Sequence, residues 1–107
     1  IVGAGPGGGP RVVVFDGADL ATGTLTETAS FFAGDESLRN GVPVAVADLN
    51  GDTEIDVVAG VGEPAAGTTG SPATVRVYSA SSLTDDPLNP IATLDPFPGF
   101  TGGVFVG

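Results

Sequence analysis

The sequence predicts an all-β protein whose antiparallel strands form four-stranded sheets, with strands enough for two. Three observations carry that expectation. Short runs of β-branched and aromatic residues recur, as in "RVVVF" and "TVRVY", and such residues favour pleated strands. The 18 Gly and 9 Pro fall between those runs, where they punctuate strands rather than dilute a disordered tail. No stretch keeps a 3.6-residue apolar period over three turns, so essentially no α-helix is expected.

The first element is a strand at residues 1–5. Its continuation, "IVGAGPGG", matches the G-x-G-x-x-G phosphate loop of dinucleotide-binding folds. That loop works only when a helix follows and offers its N-terminal N–H groups to the pyrophosphate. Here Gly9 and Pro10 are followed by Val12, Val13, Val14 and Phe15, a second strand at 11–16. The required context is missing, and the glycines read as a tight connection between neighbouring strands. Further strands are expected at 24–32, 42–47, 55–60, 74–79, 90–94 and 104–106. The turn signals "DGAD", "GDES", "LNGDTE", "SASS" and "DPFPG" lie at or between them.

The pattern is written twice. "IVGAG" at 1–5 resembles "VVAGVG" at 57–62, an offset of 56 (57 less 1). "RVVVFDG" at 11–17 resembles "TVRVYSA" at 74–80, an offset of 63, and "GVPVA" at 41–45 resembles "GVFVG" at 103–107, an offset of 62. The jump from 56 to 63 places seven extra residues in the loop 62–73 of the second copy. With four strands per repeat, named a to d, the chain reads b-c-d, a-b-c-d, a. Residues 1–40 form a partial unit, 41–102 a complete one, and 103–107 the first strand of a next unit or a strand that closes or is donated to another sheet. Repeated four-stranded sheets of this kind build β-propeller blades, and propellers hold roughly 4–8 of them. A two-sheet β-sandwich is the alternative arrangement.

Charge narrows the function. Thirteen Asp and Glu stand against three Arg and no Lys, a net charge of −10. That balance repels nucleic acid and anionic membrane surfaces and suits divalent cations. No apolar run reaches transmembrane length. With no His, Cys or Lys, the common catalytic bases and nucleophiles are missing, and no enzyme activity is expected.

The acidic charge concentrates in "DLNGDTEID", residues 48–56. Asp48, Asn50, Asp52 and Asp56 occupy positions 1, 3, 5 and 9, and the Glu54 main-chain carbonyl occupies position 7. Calcium takes six to eight oxygen ligands in a flexible cage, which this spacing supplies in large part. Asn50 limits carboxylate repulsion, and Gly51 lets the backbone bend. The same run also reads as an ordinary hairpin turn without a metal.

With this motif on the page, the chain resembles the FG-GAP or VCBS type of β-propeller repeat, also found in integrin α-subunit heads. The family pattern is D-x-[DN]-x-D-G-x-x-D before an apolar strand, and here it stands as "ADLNGDTEIDVVAG". "VGAGPGGGPRVVVFDG" is similar to a blade half of many bacterial members. The resemblance implies structural calcium at Asp48, Asn50, Asp52, Glu54 and Asp56, held in the weak range of about 10⁻⁴–10⁻³ M typical of extracellular modules. Thr53 departs from it, standing where the family has Gly. The implied protein is a secreted or cell-surface structural module for adhesion or extracellular assembly. It would associate with neighbouring blades or with itself, into a ring or filament, by donating its terminal strand. The alternative is a glycan- or protein-binding module using loops 62–73 and 81–89.

The remaining features read as packing. Phe31, Phe32, Phe97, Phe100 and Phe105 are expected between neighbouring blades, Phe15 and Tyr78 at matching places, and Arg11 and Arg76 beside carboxylates.

Overall fold

The computed structural model describes residues 1–62, 72–85 and 88–107. It is mostly β. β1 (Val2–Gly3), β2 (Arg11–Phe15) and β3 (Glu27–Phe32) form one antiparallel sheet in the order β1-β2-β3. β4 (Val44–Ala47), β5 (Asp56–Val61), β6 (Thr74–Tyr78) and β7 (Ala92–Leu94) form a second, in the order β4-β5-β6-β7. Within each sheet every strand pairs with its neighbour in sequence, whereas β3 and β4, consecutive in the chain, belong to different sheets.

The expected strands are shorter than their apolar runs. The 24–32 segment begins to pair only at Glu27, because Gly23 takes a left-handed turn at φ 82° and the ladder bulges between Val14 and Phe15. Two expectations fail. "DGAD" is not a plain turn: Gly17–Ala21 is a one-turn helix, α1, capped by Asp16, whose carboxylate accepts the Ala18 and Asp19 N–H groups. The strand expected at 104–106 forms no ladder. Instead Val104 is buried, and Phe105 beside it is 94% exposed.

Register corrects the alignment of the copies by one residue. Gly3 lies opposite Val12 in the first sheet, and Gly60 lies opposite Val75 in the second. Val75 follows Val12 by the expected 63 positions, but Gly60 follows Gly3 by 57 (60 less 3), not 56. The second copy therefore carries six extra residues (63 less 57) between these strands. Residues 63–71, most of the loop where they were expected, lie outside the described residues.

Gly3 and Gly60 show why glycine is needed there. A Cβ on Gly3 would drive into the main-chain carbonyl of Val42, with the carbonyl carbon and Cγ1 at 3.2 Å. A Cβ on Gly60 would drive into the carbonyl of Val104, with Pro43 Cγ at 3.1 Å. Val104 follows Val42 by 62 positions, the offset read from the sequence. In both places the segment carrying the "GV" pair is pressed onto bare backbone. The Val42 N–H donates to Ala4 at 2.8 Å and so ties the second sheet's lead-in to the end of β1.

The apolar core lies between the sheets. Val12, Ala29, Phe31, Ala33 and Leu38 from the first part of the chain meet Val57, Ala59, Val61, Tyr78 and Leu83 from the second. Phe31 and Tyr78 pack with ring centroids 5.0 Å apart, tilted by 55°. The Tyr78 hydroxyl and the Arg76 guanidinium both donate to the Ala33 carbonyl at 3.0 Å. Burial pushes the Tyr78 hydroxyl above its ordinary pKa, against the pull of Arg76, so it stays a proton donor in that bond. Arg11 donates to the Ser30 hydroxyl at 2.9 Å. Among the described residues, the bonds of Arg11 and Arg76 go to neutral oxygens. Of the five phenylalanines expected between neighbouring blades, Phe31 is buried between the two sheets, and Phe32, Phe97, Phe100 and Phe105 are exposed.

Candidate metal centre

The 48–56 loop joins β4 to β5. Valine and alanine run up to Ala47, and the acidic residues begin as the strand ends. Two residues turn the chain through the left-handed region, Gly51 at φ 82° and Thr53 at φ 71°. Among the described residues Thr53 is the non-glycine residue that does so. It adopts a backbone conformation that suits glycine, at a cost of order 1–2 kcal/mol for an L-residue.

The acidic side chains hold this turn through backbone N–H groups. Asp48 accepts from Gly51 at 2.6 Å and from Thr53 at 3.1 Å. Asn50 Oδ1 accepts from the Asp52 N–H at 2.9 Å, and Asp52 Oδ1 from the Glu54 N–H at 2.9 Å. Asn50 Nδ2 donates to the other Asp52 oxygen at 2.8 Å and reaches Asp56 Oδ1 at 3.5 Å. Asp56 Oδ2 accepts from the Leu49 N–H at 2.9 Å. The loop is a chain of alternating side-chain-to-backbone turns, with Asp48 clamping its tip and Asp56 its base.

Asp56 differs from the others. As the first residue of β5 it is fully buried, whereas Asp48, Asn50, Asp52 and Glu54 are exposed. Among the described residues the Leu49 N–H is its close partner and the Asn50 amide stands at 3.5 Å, so its oxygens, each able to accept about two hydrogen bonds, keep capacity to spare. Asp48, Asn50, Asp52 and Asp56, with the Glu54 carbonyl, form a donor set of hard oxygens. That chemistry fits calcium and does not fit soft or nitrogen-seeking metals. Among the described residues, no three carboxylates converge closely enough to enclose an ion as they stand. Their oxygens are engaged with the loop's own N–H groups.

Thr53 gives a direct prediction. Thr53→Gly should relieve the left-handed strain while adding chain entropy to the unfolded state, and the net gain should be about 0.5–1 kcal/mol. Urea unfolding should show a higher midpoint at unchanged slope; an unchanged or lower midpoint contradicts the strain argument.

A second concavity was not legible in the sequence. A groove of about 690 Å³ runs between β3 and the segment after the 3-10 turn Ala80–Ser82. Glu27, Thr28, Ser30 and Phe32 line one side, and Leu83, Thr84 and Asp85 the other. It borders the 81–89 loop, of which residues 86 and 87 lie outside the described set. Only the pairing of the two sheets brings these residues together, so no local motif announces it.

No protein-family model matches the chain, and no curated protein or solved structure matches it. No helix among the described residues is long and apolar enough to cross a membrane.

Proposed function

We propose that the chain is a calcium-stabilised β-propeller repeat unit of a secreted or cell-surface protein, a structural part in adhesion or extracellular assembly rather than an enzyme. The observation that carries this reading is the buried carboxylate of Asp56 at the base of an all-oxygen loop. Two further features support it. The strand orders β1-β2-β3 and β4-β5-β6-β7 follow the b-c-d, a-b-c-d reading, and the glycine-on-carbonyl contacts recur at Gly3 and Gly60. A bound calcium would pin the β4–β5 turn through Asp48, Asn50, Asp52, Asp56 and the Glu54 carbonyl. It would offset the carboxylate repulsion of a chain that carries a net charge of −10.

Melting in calcium tests the reading. If calcium binds in the expected range of about 10⁻⁴–10⁻³ M, about 10 mM calcium stabilises the fold by roughly 1.4–2.7 kcal/mol. The midpoint should rise by about 5–10 °C and fall back on adding chelator. A midpoint indifferent to both overturns the calcium part of the proposal.

The groove between β3 and residues 83–85 favours a second reading, a glycan-binding module. A glycan panel separates the two: binding abolished by Thr84→Arg, with calcium-dependent melting retained, would assign the groove that role. A blank panel returns the groove to a by-product of sheet packing.

A further inference from the structure

The core between the sheets has two sides, and each side has an exposed counterpart elsewhere on the molecule. One side is Phe31 and Leu38, 8% and 4% exposed. The other is Ala59, Tyr78 and Leu83, at 0%, 2% and 9%.

Register fixes the counterparts. Phe31 lies opposite Val12 and Leu94 opposite Val75, so Leu94 takes the place of Phe31. Leu38 precedes Val42 by four residues, as Phe100 precedes Val104. Both close the same backbone turn, Leu38 N–H on Asp35 at 3.1 Å and Phe100 N–H on Phe97 at 2.9 Å. On the other side, Val2 corresponds to Ala59 by the offset of 57. Phe15 corresponds to Tyr78 by 63, and Leu20 to Leu83. The helix α1 and the 3-10 turn Ala80–Ser82 occupy the same station after β2 and β6.

Phe15 is half-buried, and the other counterparts are uncovered. Leu94 is 54% exposed and Phe100 49%, with Phe97 packed on Phe100 at 6.1 Å between ring centroids. Val2 is 55% exposed and Leu20 47%. The described residues thus include exposed positions that correspond, by register, to both halves of the interface formed inside the chain.

From this we infer that two copies of the chain associate head to tail, the Leu94–Phe100 face of one docking on the Val2–Phe15–Leu20 face of the next. The inference rests on the repeat-unit reading and extends it to a named partner, a second copy. Val13 and Phe15 stand where Arg76 and Tyr78 stand, so the joint between copies lacks the two hydrogen bonds to the Ala33 carbonyl and is drier than the internal one. Docking also brings residues 104–107 of one copy beside the outer edge of β1 in the next. Val44 sits opposite Ala59, and the same offsets put Val106 opposite Val2. The contact joins two different faces, so it leaves one of each free and propagates. Copies carrying −10 each repel, and salt screens that repulsion.

Sedimentation velocity tests this with two variants at exposed positions, Leu20→Asp and Phe100→Asp. Melting curves first establish that both variants fold. The unsubstituted chain should grow in mass with concentration, more so in about 0.5 M NaCl, where the screening length shrinks to a few ångströms. Each variant alone should be monomeric. An equal mixture should form a one-to-one dimer, because each variant retains the face the other has lost. A chain monomeric at every concentration overturns the inference, as does a variant that self-associates unaided or a mixture that stays monomeric. Melting in calcium is read on the same samples. A calcium-binding monomer sinks the docking alone, whereas a calcium-blind chain that still forms the mixed dimer sinks the calcium reading alone.

Discussion

In about 10 mM calcium the Asp56→Asn variant is expected to melt about 5–10 °C below the unsubstituted protein, and in chelator the two should converge. Asparagine is nearly isosteric and keeps one oxygen to accept the Leu49 N–H at the base of the loop. What it removes is the buried negative charge. Without calcium that charge is buried, with the Leu49 N–H as its close partner and the Asn50 amide between it and Asp52. Its removal therefore costs little in chelator, about 1 kcal/mol or less, in either direction. On the proposed calcium reading the same charge would help hold the ion, and the stabilisation of roughly 1.4–2.7 kcal/mol would be lost with it. The measurement is a pair of melting curves with and without chelator for each protein. A variant that keeps its response to calcium removes Asp56 from the ligand set.

Gly60→Ala and Gly3→Ala should each destabilise by about 2–3 kcal/mol, at the upper end of the cost of overfilling a packed site. The added methyl meets a carbonyl oxygen, of Val104 in one case and Val42 in the other. Main chain cannot rotate aside as a side chain can, so the whole lead-in segment must lift. Lifting it at Gly3 stretches the bond from the Val42 N–H to Ala4 and uncovers Val42, which is buried. Gly5→Ala is the control. It lies two residues from Gly3, has no atom within 4 Å of its would-be Cβ, and should change stability by less than about 0.5 kcal/mol. Urea unfolding of the three variants decides it; equal midpoints would mean that the close approach carries no stability.

The β character and the strand order could be read from the chain, because valine-rich runs broken by glycine and proline leave little choice. Tertiary pairing decided the finer points. Val57 and Val58 are adjacent and alike, so apolar matching could not say which one answers to Ile1; the answer came from Gly60, whose missing side chain matters only when Val104 arrives from far along the sequence. The helix α1 hid in "FDGAD" because Asp16 serves a turn and a helix cap with the same hydrogen bonds. The phenylalanines were harder to place for a different reason: apolar character says that a residue wants cover, not which segment supplies it. At the loop, residue types and spacing were legible, and so was the cost at Thr53. The burial of Asp56 was not, since it depends on β5 being an inner strand of its sheet.

The seams at Gly3 and Gly60 are drawn in main-chain atoms, which every amino acid shares. A joint of that kind carries no side-chain password. Neighbouring segments are free to diverge in identity while the fit is kept, provided each retains one hydrogen-sized notch, and a unit duplicated or grafted elsewhere arrives already able to mate.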